Sequence, residues 1–379
     1  MANEKTRATV AFMTIDPYIE RNIILPTEQE YSGRDWVEWG ERNLYPEYIL
    51  ELSKTAPTLH SVIAGTVDYV AGDDATLSWP FIVDVLLNKM NRKGEQLSTQ
   101  VRTVSEDIVT YGGFALQVIR SLAGKVVEVY RVPLRFLRSN KENTVFYYSE
   151  KWKEGRRKFV EYPAFMDFTD EQWATLTPEQ RQRHLSSIYY YKQSTSQVYP
   201  EPLYCAAVKD CETERCISDY HLNAINNGFS SSAVINFNNG VPSDEIQEEI
   251  QKAVNEKFAG HTNAERILIS FNDNKENGVT IDEFQGRDFG AKYKALSSHV
   301  RQQIFTSFRA NPNIFGIPTE SLGFSSEEYE SSFKLFNRTV VRPMQRAICD
   351  AYNRILAQYG ITVTIKPFSL DGDTETNVN

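Results

Sequence analysis

Apolar positions change period several times along the chain, and each change predicts an element. From Pro46 the period is helical. Leu59, Val62, Ile63, Val67 and Val70 share one face behind a first-turn proline, Pro57, and Gly72 supplies a stop. Phe81–Met90 predicts a short helix. Leu97, Val101, Val104, Ile108 and Tyr111 then step by 4, 3, 4 and 3, an amphipathic stripe. Beyond it the pattern turns strand-like. Phe114–Ser121 and Lys125–Arg131 predict strands around a turn at Leu122-Ala123-Gly124. Further strands are predicted at Arg135–Ser139, Thr144–Glu150, Lys158–Tyr162 and Ile188–Lys192, with a helix over Asp170–Leu185. Residues 36–199 therefore read as an α+β domain. The irregular first 35 residues carry one predicted strand, Ala8–Ile15.

Pro200 and Pro202 mark a boundary. A long helix follows, Leu203–Asn227, which at 25 residues would reach roughly 37 Å. Ala233–Phe237, Arg266–Phe271 and Val279–Phe284 predict strands and Asp244–Phe258 a helix, so 230–286 reads as a small β-α-β-β module between helices. The second long helix, Asp288–Ala310, carries the apolar face Phe289, Tyr293, Leu296, Val300, Ile304 and Phe308. A loop, Asn311–Ser326, holds Pro312, Gly316, Pro318 and Gly323. The third helix, 327–359, has Pro343 in its middle, which predicts a kink because proline lacks a donor and crowds the preceding turn. A strand, Ile361–Lys366, and a polar acidic tail follow.

Composition narrows the class. Of 379 residues 41% are hydrophobic, and with 19 glycines the chain lies in the globular range rather than with collagens, rods or disordered chains. A balance of 41 basic against 50 acidic residues gives −9, which disfavours a tight sequence-blind grip on nucleic acid. Cys205, Cys211, Cys216 and Cys349 form no CxxC pair and read as free thiols of a reducing compartment rather than zinc ligands. Met1–Thr9 lacks the apolar core of a signal peptide, and the uncharged run Tyr220–Ser243 is too interrupted for a membrane span. A soluble cytosolic protein is expected, with no membrane partner.

Enzyme signatures are lacking. There is no P-loop and no nucleophile elbow, and Gly112-Gly113 reads as a helix stop before a strand. His60, His184, His221, His261 and His299 stand singly. Asp371, Asp373 and Glu375 alternate without the bidentate glutamate of a calcium loop. No catalytic residue, cofactor or metal is assigned. Two charged features remain. Lys294, Arg301 and Arg309 on the second long helix span roughly 80° of arc away from its apolar face, either a solvated face or a stripe toward a polyanion. Residues 230–286 hold ten acidic and four basic residues, a balance of −6, with Glu248, Glu249, Asp282 and Glu283 among the acids. That surface is either merely solubilising or steers a basic partner.

Three stretches carry a family resemblance. YGGFALQVIRSLAGKVVEVYRVPLRFLR (Tyr111–Arg138) has an aromatic-Gly start, a Gly turn and a Pro-x-Arg exit. YPEPLYCAAVKDCETERCISDYHLNAINNGFSSSAVINF (Tyr199–Phe237) is a proline-led helix with an Asn-Gly end and a following strand. FRANPNIFGIPTESLGFSSEEYESSFKLFNRTVVRPMQRAICDAYN (Phe308–Asn353) contains Phe-Gly-Ile-Pro and the proline-bearing helix. Their order and spacing resemble the portal proteins of tailed bacteriophages over about 40–360.

The resemblance implies an N-terminal arm (1–35), a wing (36–199), stem helices (200–229 and 287–310) around a clip (230–286), a tunnel loop (311–326), a kinked wing or crown-side helix (327–359) and a short C-terminal strand and tail (360–379). It implies a homo-oligomeric ring, usually of twelve, at one capsid vertex of the virion, assembled in the host cytoplasm. Double-stranded DNA passes through it in packaging and ejection. The terminase large subunit, a head-tail adaptor, the major capsid protein and a scaffold are its implied partners, and ATP hydrolysis belongs to terminase. Twelve helices ~10 Å apart would leave a bore of roughly 28 Å, enough for a duplex. Candidate channel residues are then Lys294, Arg301, Arg309, Asn311, Asn313, Thr319, Glu320, Ser321 and Ser325. Glu248, Glu249, Asp282 and Glu283 are candidates for clip docking, and Pro343 for the kink. The competing reading is a cytosolic enzyme with an α+β catalytic domain, which would be a monomer to tetramer rather than a large ring.

Overall fold

In the computed structural model, the described residues are 9–12, 23–78, 89–152, 158–194, 197–226, 234–237, 242–243, 245–250, 268–271, 289–317 and 326–368. They mix helices and mainly antiparallel sheets, an α+β fold, and divide into two compact units. The larger unit comprises Ile24–Glu212 and Val300–Asn379, the smaller Met1–Ile23 and Thr213–His299.

In the larger unit, helix α1 (Tyr45–Thr55) meets α2 (Pro57–Ala71) at an extended Ala56, because Pro57 at the first position of α2 has no N–H to continue α1. Helix α3 (Leu97–Tyr111) buries the predicted stripe of Leu97, Val101, Val104, Ile108 and Tyr111. Gly112 ends α3 in the left-handed region at φ 81°, where a Cβ would lie 1.9 Å from the Glu201 carbonyl oxygen, so only glycine fits. The strand Gly113–Arg120 follows at once. It is the centre of an antiparallel sheet, flanked by Val126–Val132 and by Ser186–Lys192. A second antiparallel sheet pairs Leu137–Ser139, Val145–Tyr148 and Val160–Pro163, and Asp74–Ser78 pairs with Thr362–Lys366.

Arg138, fully buried, ties these layers together. Its guanidinium donates to the carbonyls of Asn43 (2.9 Å), Arg135 (3.0 Å) and Leu137 (2.7 Å) and to the Asn43 side chain. It lies 5.0 Å from the Trp152 ring and 5.8 Å from Trp39, which stacks on Tyr199 at 4.6 Å. Carbonyl dipoles and aromatic faces replace the water this cation gives up.

The predicted helix over Asp170–Leu185 is two helices, α4 (Asp170–Thr175) and α5 (Pro178–His184). Each opens on a capping box, Thr169 with Gln172 and Thr177 with Gln180, and Pro178 forbids continuation from α4. The first long helix also starts later than predicted. Cys205–Ala207 form a tight 3-10 turn, and α6 runs Val208–Asn226. The buried Tyr204, whose hydroxyl donates to the Thr110 carbonyl at 2.8 Å, pins that turn. Helix α7 (Phe289–Ser307) ends on a left-handed Arg309 at φ 54°. The Arg309 N–H donates to Thr306 and the Ala310 N–H to Phe305, both at 3.0 Å, the paired bonds that close a helix C-terminus. Helix α8 (Ser326–Phe336) continues through a π-helical turn, Asn337–Val341, into α9 (Arg342–Ile355). Pro343 thus sits at the start of α9, where the wider preceding turn relieves the clash and accommodates the missing donor.

In the smaller unit, Leu268–Phe271 is the central strand, parallel to Val234–Phe237 and antiparallel to Thr9–Phe12. A parallel pair needs a crossover, and residues 245–250 are helical within it. The N-terminal strand thereby belongs to this module, a pairing the local sequence does not reveal. The predicted strand Val279–Phe284, residues 251–258 of the predicted helix, and Phe81–Met90 up to residue 88 lie outside the described residues.

Candidate interaction surfaces

The two long helices change character along their length. On α6, Val208 and Cys211 are buried, while 218–222 are all exposed, with Tyr220 at 45% and Leu222 at 58%. On α7, Val300, Ile304, Phe305 and Phe308 are buried, and Phe308 stacks on Tyr204 at 5.1 Å. Earlier on the same helix Leu296 is 40% exposed. The expected continuous apolar face is therefore covered in the larger unit and only partly covered in the smaller. There Tyr220 stacks on Tyr293 at 5.1 Å and His221 meets the same ring edge-on at 5.5 Å.

The candidate channel residues separate. Lys294 and Arg301 are exposed and two turns apart on α7, offset by about 20° of helical phase. Arg309 does not extend their stripe as expected, because the left-handed closure takes it off the helix. The start of the predicted loop is anchored inward. Asn311 accepts from the Asn313 N–H at 3.1 Å and donates to the Ser332 hydroxyl at 3.1 Å, fixing a 3-10 turn, Pro312–Phe315. Asn313 is buried, which removes its side chain from any surface contact with DNA. Phe315 packs 5.8 Å from Phe305, 5.9 Å from Phe336 and 6.0 Å from Tyr69, so it serves this chain's own core. Thr319, Glu320, Ser321 and Ser325 lie outside the described residues.

Of the clip candidates, Glu248 and Glu249 are exposed beside a buried Gln247, whose side chain donates to the Pro242 carbonyl at 2.9 Å. Ile246 is exposed on the same turn. Asp282 and Glu283 lie outside the described residues.

A polar cleft that local motifs did not announce opens in the larger unit, about 500 Å³ in volume, between α1, α2, α3 and residues 131–135. Arg131 grips the buried Asp107 with two bonds of 2.7 Å. Burial pushes the Asp107 carboxyl up from its ordinary value, and the guanidinium opposes that rise. Lys54, His60, Arg102 and Arg135 stand around this pair, with Glu106 among them. Among the described residues no group of three or more His, Cys, Asp or Glu is placed to hold a metal ion, and no helix is long and apolar enough to cross a membrane.

No protein-family model matches the chain, and no curated protein matches it by sequence. Solved structures do match. A chain from the neck of a native gene transfer agent particle, computed with C12 symmetry, aligns at 16% identity over 87% of this chain and 86% of that one, TM-score 0.52. The chain shares its fold with a particle-neck protein. A chain of the native gene transfer agent virion aligns over 90% of this chain and 86% of that one, at 14% identity and the same TM-score of 0.52. An HK97 family phage portal protein from Corynebacterium diphtheriae aligns at 12% identity, over 84% of this chain and 94% of that one, TM-score 0.47. The likeness to the neck structure covers most of both chains and is not confined to a single shared motif.

Proposed function

We propose that the chain is a portal protein that closes into a ring at a capsid vertex and conducts double-stranded DNA in packaging and ejection. The observation that carries this reading is the two-way coverage of the neck fold, 87% of this chain and 86% of the other, in a particle computed with C12 symmetry. The exposed apolar residues of α6 and α7 support it, since a ring supplies the cover that one copy lacks.

In this reading residues 36–199 are the wing, 200–229 and 287–310 the stem and 230–286 the clip. Residues 311–326 form the tunnel loop, and 327–359 a long helix whose bend falls at the π turn before Pro343. The ring has twelve copies. Lys294 and Arg301 line the bore as a sparse cationic stripe, enough to guide a duplex without the salt-sensitive grip of a basic clamp. Glu248 and Glu249 belong to an acidic docking face that meets terminase and then a head-tail adaptor, while the wing meets the capsid protein. The chain has no catalytic role of its own. Negative-stain imaging of the purified protein tests the reading: closed rings with a central bore are expected, and dispersed single copies would refute it.

A further inference from the structure

Helix α9 and the π turn before it carry a row of arginines on their outer face. Arg338 lies in the π turn and Arg342 and Arg346 on α9, and all three are exposed. Among the described residues none of them has a carboxylate within ion-pair distance. Arginines elsewhere behave differently: Arg34, Arg92, Arg102, Arg131 and Arg354 each reach one. Successive members of the row are four residues apart, about 6 Å of rise. Four α-helical residues overshoot a full turn by about 40°, so two such steps would swing the row through about 80°. A π turn closes its bonds over five residues and rotates less at each, so the first step gives back part of that swing and the guanidiniums stay closer to one line.

The row is rigidly mounted. Behind it Val340, Val341, Met344, Ala347 and Ile348 are buried, and the Gln345 side chain donates to the carbonyls of Tyr69 (3.2 Å) and Val70 (3.1 Å). Acids bound it at both ends. Asp350 is exposed one turn beyond Arg346. Glu330, about two turns before Arg338, accepts from Lys334 at 3.1 Å, and Glu327 and Glu328 lie farther back on α8. Between these ends three positive charges stand over about 12 Å of helix. A guanidinium fork matches the oxygens of a phosphate, and a duplex offers a phosphate every ~3.4 Å along each strand. A chain of net charge −9 repels a polyanion at long range, so any surface that holds one must concentrate its cations locally, as this row does.

We propose that Arg338, Arg342 and Arg346 grip the phosphate backbone of double-stranded DNA without reading its sequence. The choice of a duplex among polyanions rests on the portal reading. The surface itself is distinct from the candidate channel residues on α7 and in the segment after it, and three aligned arginines hold a duplex more firmly than the sparse pair Lys294 and Arg301.

Fluorescence anisotropy of a labelled duplex of about 30 base pairs, titrated with the full-length chain, tests the proposal through its salt dependence. Three phosphate contacts give a log–log slope of about −2.7, so affinity should fall at least ~40-fold between 50 and 200 mM salt. In R338Q/R342Q/R346Q the slope should be shallower by about 2.7, and binding at 50 mM at least ~10-fold weaker, with circular dichroism and the mass distribution unchanged. R338K/R342K/R346K should keep the slope, because charge sets it, and lose affinity with the fork. Equal slopes for the natural chain and the glutamine variant would overturn the proposal. So would a glutamine variant that loses its assembly while its single copies bind the duplex as before, since the row would then be a contact between copies. Rings that bind duplex equally with and without the arginines refute this inference and leave the portal reading standing. Single copies whose binding depends on the arginines uphold it while the ring reading fails.

Discussion

The same two helices, α6 and α7, behave differently in the two units they enter. In the larger unit their apolar residues find partners within the chain: Phe308 lies on Tyr204, and Ile304, Phe305 and Cys211 are buried. In the smaller unit Tyr220, Leu222 and Leu296 have the same chemistry and remain exposed. Completing the burial of each such half-exposed side chain would yield on the order of 1 kcal/mol, a term the single copy leaves uncollected there. On the proposed reading the contrast separates the residues that fold one copy from those that would join copies. Within the larger unit two buried charges also find partners in the same unit, Arg138 with its carbonyls and Asp107 with Arg131.

The contrast can be broken by substitution. Phe308→Ala should have the largest effect on folding, about 3–5 kcal/mol in denaturant unfolding, since it empties a fully buried, stacked position. Leu296→Asp should change the stability of one copy by less than ~0.5 kcal/mol and yet abolish the ring, read by sedimentation of the two variants side by side. A Leu296→Asp chain that unfolds like Phe308→Ala would erase the distinction between the two halves. Glu248→Lys with Glu249→Lys should leave both folding and ring intact. It should weaken capture of a basic adaptor about tenfold at low salt, with the gap closing as salt rises, measured by surface plasmon resonance.

The smallest expected effect concerns Glu95 of the larger unit. Burial works to raise its carboxyl, but hydrogen bonds from Asn91 (2.6 Å) and Gln100 (3.1 Å), with Lys93 and Arg131 nearby, hold it below its usual value. A carboxylate depressed in the folded state adds stability above its unfolded pKa, and that stability is lost as pH falls through the folded one. Glu95→Gln should therefore lower stability modestly at neutral pH, with the gap to the natural chain closing as pH falls below about 4.5, so that the acid limb of its stability–pH curve is flatter.

Much of the fold was legible because its signals are local. The stripe from Leu97 to Tyr111, the Pro57 start, the Gly112 stop and the hairpin through Gly124 all appear where the pattern placed them. The break between α4 and α5 was also written locally, in Thr169-x-x-Gln172 and Thr177-Pro-x-Gln180, but helical periodicity masked it. What escaped depends on distant partners. Thr9–Phe12 finds Leu268–Phe271 some 260 residues on. Arg138 reads as a surface cation until Asn43, Trp39 and Trp152 surround it. Asn313 reads as a loop polar group until α2 and α8 close over its turn. The cleft around Asp107 and Arg131 draws its lining from α1, α2, α3 and the segment before Phe136, so no motif could contain it.

In the proposed ring, further copies cover the exposed apolar helix surface of the smaller unit. Mass photometry of the natural chain, purified at micromolar concentration, tests it most directly. Twelve copies of 43.5 kDa predict a species near 520 kDa that dominates the distribution. A single peak at 43.5 kDa that persists across concentration and salt would contradict it.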